Sequence, residues 1–372
     1  MDILEKARLL GNAGRYDSCG PKQCEVKVEN NLSGLYHASS ENPNCIMLKT
    51  LMNSSCKLDC KYCPNSTRSK GKSPVSYTPE ELARLFQHTR ETAGVNALFL
   101  SSGVSGDSDP AMQEMIDAVK LVRKDFNGYI HMKILPGASH ELVKEASELS
   151  DRLSVNIESP TGSVLKEMSD TKDFKIDILR RQAWISKIVE KSRRYNPEIR
   201  TKLSQSTQMI VDRHSTDKEI LSMTGWQYDS LKVSRVYYSA FRPVNGTAME
   251  NEKAESPFRQ NRLYNSDFLL HKYNFSKKEL FSIMDDGMLP REDPKVALAK
   301  LNRMRVDVNF ATYDELIRIP GVGPKLAQII IAKRKNEKIS RYSQLDFMGS
   351  LLEKSRPFIE LDGKRQAVLS EF

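Results

Sequence analysis

Cysteine is absent from most of the chain: of its 372 residues, none beyond residue 63 is a cysteine. A fold stapled by disulfides is thereby excluded for all but the N-terminal sixth. Tryptophan is nearly as scarce, with two residues, and aromatics reach only 8%. No run of about 18 apolar residues occurs, so no segment reads as a membrane-spanning helix. The opening stretch carries Asp2, Glu5, Lys6 and Arg8 and lacks the apolar core of a secretory signal, so the expected location is the reducing cytoplasm. Hydrophobic residues at 39% and charged residues at 28% fit a water-soluble globular protein, long enough for a catalytic domain plus a smaller module.

Against that background the six cysteines stand out: Cys19, Cys24, Cys45, Cys56, Cys60 and Cys63. Thiols so clustered in a reducing compartment point to metal or redox chemistry near the N-terminus. Charge is uneven as well. The chain holds 57 Lys+Arg against 48 Asp+Glu, a formal +9, and the stretch from Arg291 onward carries +5 of it. Such an excess marks either a nucleic-acid surface or a solubilising basic face.

Six short apolar runs alternate with helical patterns: Ile46–Met52, Ala97–Leu100, Tyr129–Leu135, Leu153–Ile157, Thr207–Val211 and Arg235–Tyr238. Helices are expected at Thr78–Ala93, Asp109–Phe126, His140–Leu149, Lys175–Arg193 and Asp217–Met223, with another at Phe258–Tyr273. Alternation of this kind is the pattern of a parallel α/β architecture. A partial (βα)6 TIM-like barrel suits the count at least as well as an open doubly wound sheet. The expected organisation is an N-terminal extension at 1–44, a barrel with its following helix at 45–284, a charged, turn-rich linker at 285–300, and a small all-α domain at 301–372.

The strongest local signal is Cys56-Lys-Leu-Asp-Cys60-Lys-Tyr62-Cys63-Pro64, directly after the first expected strand. Three thiolates on one loop can hold three irons of a [4Fe-4S] cubane, leaving the fourth iron open to a ligand. A zinc knuckle is the rival, with a fourth ligand from Cys45, Cys24 or a histidine, but only one C-x2-C pair is present. With its Cys-x-aromatic-Cys ending and β/α frame, the segment resembles the radical S-adenosylmethionine superfamily. That resemblance implies a [4Fe-4S] cluster on Cys56, Cys60 and Cys63, and S-adenosylmethionine cleaved by one electron to a 5′-deoxyadenosyl radical. It places Tyr62 beside the cofactor, puts the backbone carbonyls of Ser101, Ser102 and Gly103 on the methionine amino group, Glu158 on the ribose hydroxyls and Met209 against adenine. The acidic residue usual in the amino-binding stretch is missing here. A one-electron donor such as a flavodoxin or ferredoxin is also implied. Cys19 and Cys24 read as ordinary core or surface thiols, with ligation of a second cluster or hydrogen donation to a substrate radical as the alternatives.

Near the C-terminus, Ala311 to Arg334 contains Thr312 and Glu315 at capping-box spacing, then Ile319-Pro320-Gly321-Val322-Gly323-Pro324-Lys325. Two glycines for a tight turn and a proline at the start of the next helix resemble a helix-hairpin-helix module. Backbone N–H groups of Gly321, Val322 and Gly323 would meet a phosphate, with charge from Lys325 and, further along, Lys333 and Arg334. The expected apolar stripe is Leu326, Ile329 and Ile330.

Over nearly its full length the chain resembles a family of DNA modification or repair radical S-adenosylmethionine proteins. The likeness rests on Arg15–Cys19, the Cys56–Pro64 loop, Tyr237–Val244, Asn261–Tyr264, Asp267–Leu270 and Val306–Asn309. It implies a nucleic-acid substrate, DNA before RNA, and a setting shared with a uracil-DNA-glycosylase-like protein. Tyr237 and Tyr238, at the end of the sixth expected strand, become candidates for stacking on a base or quenching a radical, with Arg242 on a phosphate. Two rivals remain: an RNA-modifying enzyme, and a nucleic-acid-binding repair accessory whose cluster is structural or redox-sensing.

Overall fold

The computed structural model describes residues 1–14, 34–39, 42–70, 73–195 and 203–361. Cys19, Cys24 and the Arg15–Cys19 stretch lie outside the described residues. The chain divides into two compact units, one of Met1–Ser215 with Ser222–Gln260, the other of Thr216–Leu221 with Asn261–Phe372.

The first unit is built on a curled seven-stranded sheet in sequence order: β1 (Leu35–Ser39), β2 (Asn42–Leu51), β3 (Ala97–Ser101), β4 (Tyr129–Lys133), β5 (Arg152–Ser154), β6 (Ser204–Val211) and β7 (Arg235–Ala240). β2 to β7 run parallel, and β1 pairs antiparallel with β2 through Leu35↔Leu48, Tyr36↔Met47 and His37↔Ile46. Around it lie α1 (Ile3–Gly14), α2 (Pro79–Ala93), α3 (Ser108–Arg123), α4 (His140–Leu149), α5 (Gly162–Met168), a π-helical turn at Phe174–Leu179 leading into α6 (Arg180–Tyr195), and α7 (Asp217–Leu231) from Ser222 on. This is a half-barrel with one strand more than the six expected. The extra strand comes from a Gly/Ser/Asn-rich stretch whose composition hides it, so 1–44 is not a bare extension.

Local signals explain why the elements begin where they do. Thr78 caps α2 by accepting from Glu81 N at 3.2 Å, while the Glu81 carboxylate accepts from Thr78 N at 2.9 Å. Pro79 sits in the first turn, where its missing N–H costs nothing, and Gly94 ends the helix at φ 65. Every residue of β3 is buried, because a parallel strand covered on both faces must be apolar on both. Leu98, Leu100, Ile130, Met132 and Leu153 are fully buried, each contributing on the order of 2 kcal/mol. β5 is shorter than its apolar run. It ends at Ser154, and further on Glu158 takes φ 64 and makes a lone bridge to Met209.

The second unit contains α8 (Pro257–Lys272) from Asn261 on, α9 (Lys277–Ser282), α10 (Pro294–Leu301), β8 (Val306–Asp307), α11 (Tyr313–Arg318), α12 (Pro324–Asn336), a 3-10 turn at Tyr342–Met348, α13 (Leu351–Ser355) and β9 (Ile359–Glu360). Its core gathers Val308, Leu316, Ile319, Ala327, Ile330 and Phe358. The end of the 285–300 stretch, from Pro294, is helix α10, because Asp293 caps it by accepting from Lys295 N at 2.9 Å and Pro294 occupies its first turn. The C-terminal region is helical as expected, with one two-residue parallel pair, β8 and β9, through Val306↔Ile359 and Asp307↔Glu360.

Candidate active site

At the carboxyl ends of the parallel strands the first unit holds a cavity of ≈ 1140 Å³. In parallel β/α folds this end carries the chemistry, because the loops that follow each strand converge there. Its walls are the Cys56–Asn65 loop after β2, Ser101–Val104 at the end of β3, Lys133–Pro136 from β4, Asn156 and Glu158 after β5, Lys172, Gln208 and Ile210 of β6, and Ser239–Asn245 at the end of β7.

All three thiols of the triad line this cavity. Their loop is fastened on both sides. Lys57 N donates to Val104 O at 2.6 Å, Lys61 N to Met168 O at 2.8 Å and Thr67 N to Leu58 O at 3.1 Å. Between the cysteines, buried Asp59 accepts from Ser169 Oγ at 2.6 Å, Thr171 Oγ1 at 2.7 Å and the backbone N of Asp170 at 3.1 Å, and pairs with Arg68 at 3.2 Å. Burial alone would raise the Asp59 pKa, but these donors outweigh it and hold the carboxyl well below its usual range. Burial also pushes the Cys56 thiol up and that of Cys63 up to about 12. Thiols so placed become thiolates by binding a metal, which deprotonates them outright.

Beside the thiols, where it hydrogen-bonds Cys60, Lys172 Nζ stands 3.6 Å from Glu158 Oε1. Burial works against its charge, yet Cys60 and Glu158 beside it more than compensate and keep the ammonium protonated well above its ordinary range. Burial, followed by Glu158, raises the phenol of Tyr62, which hydrogen-bonds that carboxylate. Lys133 donates to Asn156 Oδ1 on the same wall.

The expected site residues divide. Cys56, Cys60, Cys63, Tyr62, Ser101, Ser102, Gly103 and Glu158 are brought together around the cavity. Gly103 is required there: a Cβ would fall 2.3 Å from Ser55 O. Two of the carbonyls expected to receive an amino group already accept from the chain itself, Ser101 O from Met52 N at 2.7 Å and Gly103 O from Ser102 Oγ at 2.8 Å. Glu158 is buried and engaged by Lys172 and Tyr62 rather than standing free at a loop start.

Met209 is misplaced by one residue. It is fully buried and absent from the cavity wall, which β6 lines with Gln208 and Ile210, because strand side chains alternate. Tyr237 and Tyr238 do not line the cavity either; Ser239 and its successors do. Tyr238 is fully buried with its hydroxyl 2.9 Å from Thr224 Oγ1, and Tyr237 is reached by Arg152 at 3.5 Å. Both are buried off the cavity wall. Cys45 packs against Met47, Ala97 and Phe99 and is not on the cavity wall, so it is no fourth ligand. Asp59, Lys133, Lys172 and Ile210 were missed. Ile210 was recoverable from strand alternation once Met209 had been considered, but nothing in the spacing announces the others.

In the second unit, Gly321 has φ 86, and a Cβ there would lie 2.6 Å from Ser355 Oγ and 2.8 Å from Leu351 O. Gly323 caps α12 without a side chain, and Lys325 is exposed beside it. Val322 departs from the expected phosphate cradle: it is buried, its N–H donates to Ile319 O at 3.0 Å and its carbonyl accepts from Lys295 Nζ at 2.6 Å. Arg334 is spent inside the unit on Val308 O and Ala311 O, both at 2.7 Å, and Lys333 lies over the Phe347 ring. Ile329 of the expected stripe is exposed, whereas Ile330 is buried.

Comparison with known proteins adds two family matches. Residues 51–193 match the family described as the radical SAM superfamily, SAM being S-adenosylmethionine, and residues 301–355 match the helix-hairpin-helix motif. The chain carries a radical SAM superfamily domain. Members of that superfamily use a [4Fe-4S] cluster and S-adenosylmethionine. Curated proteins return no match. Among solved structures, methylornithine synthase (PylB) is 16% identical with a TM-score of 0.44, covering 61% of this chain and 63% of its own. The FeFe-hydrogenase maturase HydG from Carboxydothermus hydrogenoformans is 14% identical with a TM-score of 0.47, covering 59% and 50%. The cobalamin-dependent radical enzyme OxsB is 11% identical with a TM-score of 0.34, covering 78% and 45%. The chain thus spans less than two thirds of these proteins, and such distant likeness says nothing of its substrate.

The radical SAM domain's own residues fit its cofactors. Three thiols face one cavity, an ammonium at Lys172 stands ready to balance thiolate charge, and Gly103 keeps the wall thin where the loops cross. Among the described residues no three His, Cys, Asp or Glu side chains converge on a single metal ion. A cubane does not ask for that, since each thiolate binds a different iron. No described helix is long and apolar enough to cross a membrane.

Proposed function

We propose that this protein is a radical SAM enzyme whose substrate is nucleic acid, DNA before RNA, presented with the help of the helix-hairpin-helix unit. The observation that carries the reading is one chain joining the thiol-lined cavity to that motif. Cys56, Cys60 and Cys63 are the cluster ligands, and the bound cofactors supply one-electron cleavage of a sulfonium, hence hydrogen-atom abstraction from the substrate. The chain's own residues do the rest. Asp59 holds the thiol loop against the Ser169–Thr171 segment, and Lys172 offsets negative charge at the thiols. Glu158 and Tyr62 form the polar side of the cofactor wall, Ile210 its apolar side.

A base in duplex DNA has to leave the stack to reach such a cavity, at a cost of a few kcal/mol that is smallest for damaged or unpaired bases. That selectivity suits a repair or modification role alongside a uracil-DNA-glycosylase-like protein, with a flavodoxin or ferredoxin as electron donor. The test is mass spectrometry of nucleosides from cells with and without the protein, DNA and RNA digested separately. Loss of a modified nucleoside from DNA supports the reading, and loss from RNA alone moves it to an RNA-modifying enzyme. Unchanged nucleosides in both refute it.

A further inference from the structure

The most exposed large hydrophobic side chain in the second unit is Phe310, at 76% exposure, in the turn between β8 and α11. Exposed phenylalanines are common on mobile tips, but this turn is locked. Asn309 holds the Ile339 backbone from both sides, Nδ2 donating to its carbonyl at 2.9 Å and Oδ1 accepting from its N–H at 2.9 Å. Arg334 ties down Val308 O and Ala311 O, the carbonyls on either side. Asp307 accepts from Asn309 N through Oδ1 at 2.8 Å and from Phe310 N through its carbonyl at 3.2 Å. The ring is therefore displayed on a backbone that loses little further freedom on contact, which is how an aromatic contact is made strong.

Basic residues flank it along the chain. Arg303 and Arg305 precede it in the chain, and the Asn309 clasp brings the segment of Lys335, Lys338 and Arg341 alongside; all five are exposed. The nearby acids are largely occupied. Glu315 folds back on Thr312, Glu337 accepts from Gln344, and Asp307 is in the turn itself; Asp314 is exposed. An aromatic face among basic side chains is the arrangement that binds unpaired strands, the rings stacking on bases while the cations follow phosphates.

We propose that Phe310 is a stacking platform for an unpaired nucleobase, so that the second unit favours single-stranded or locally opened nucleic acid over intact duplex. The proposal rests on the nucleic-acid reading above and deepens it, from a strand held by its phosphates to a strand held open.

The test uses the reconstituted full chain, with a fluorescent oligodeoxynucleotide of about 15 nucleotides, its duplex and the matching RNA, at about 100 mM salt. Phe310→Ala weakens single-strand binding roughly 5- to 100-fold and leaves duplex binding unchanged, whereas Phe310→Trp retains it. Because the side chain is exposed, the melting temperature stays that of the wild type, which excludes misfolding as the cause. Lys325→Glu, at the hairpin turn, weakens both forms. A larger Phe310→Ala loss on RNA than on DNA supports the stacking role and assigns it to an RNA strand. Equal binding by wild type and Phe310→Ala overturns the proposal, as does equal loss on single strand and duplex, or a changed oligomeric state, which marks a protein contact. If Phe310→Ala binds single strands as the wild type does while Lys325→Glu weakens binding, only the stacking proposal fails. If the wild type retains none of the three probes, the nucleic-acid reading fails with it.

Discussion

Replacing Asp59 by asparagine removes one charge and almost no volume, so it isolates what fastens the thiol loop. The carboxylate has two occupied sides. Oδ1 takes the hydroxyls of Ser169 and Thr171 at 2.6 and 2.7 Å and Thr171 N at 3.3 Å; Oδ2 takes Asp170 N at 3.1 Å and Arg68 at 3.2 Å. An asparagine offers one acceptor oxygen, so its NH2 must face donors on one side whichever way it turns. The hydroxyls can rotate to accept, but a backbone N–H cannot. Arg68 is half exposed and also pairs with Asp170 at 2.7 Å, so its share is small. Hydrogen bonds to a charged group contribute about 1.5–3 kcal/mol each, and at least one is lost while others become neutral, giving about 3 kcal/mol. For a unit of this size that corresponds to a melting shift of roughly 6–12 °C. The assay is thermal melting of anaerobically reconstituted protein, together with the rate of iron loss to a chelator, which rises in the variant. A melting temperature within about 2 °C of wild type with unchanged iron loss would refute the argument that Asp59 holds the loop.

Three further outcomes follow from the same geometry. Lys295 is buried against Val322 O, and burial depresses its pKa to about 7. The unfolded chain then binds more protons than the folded one above that pH, so stability of the second unit rises with pH from about 7 toward 10, at up to about 1.4 kcal/mol per unit. Lys295→Met removes this slope in melts taken across that range. Gly321→Ala meets both a positive φ of 86 and atoms at 2.6 and 2.8 Å, so it costs the second unit about 2–4 kcal/mol by denaturant unfolding. Tyr237→Phe leaves 5′-deoxyadenosine yield unchanged because its ring is outside the cavity, and Tyr238→Phe loses its bond to Thr224, about 1 kcal/mol of stability.

What could be read from the chain was whatever is written locally. Thr78-Pro79-Glu80-Glu81 announces α2 because its cap is made within four residues. The triad announces a metal site because its three ligands share one loop, and Thr312 with Glu315 announces α11 likewise. What escaped is made by distant partners. Asp59 acquires its role from Ser169 and Thr171, 110 and 112 residues away, and Lys172 from Glu158 and Cys60, which only the fold brings beside it. β1 hid in a polar stretch because its pairing with β2, not its composition, makes it a strand. The two tyrosines show the converse failure. A strand end was correctly located, but Tyr238 is on the opposite face with Met209, and Tyr237, on the face of Ser239, comes before the wall begins at Ser239.

The central claim is that the three thiols of the Cys56–Cys63 loop hold a cluster that cleaves S-adenosylmethionine. The most direct measurement is 5′-deoxyadenosine formed by anaerobically reconstituted, reduced protein supplied with S-adenosylmethionine, alongside Cys56→Ala, Cys60→Ala and Cys63→Ala. Product is expected from the wild type and none from any of the three variants, with their iron content reduced. An iron-loaded wild type that yields no 5′-deoxyadenosine, or a variant that yields as much as the wild type, would contradict it.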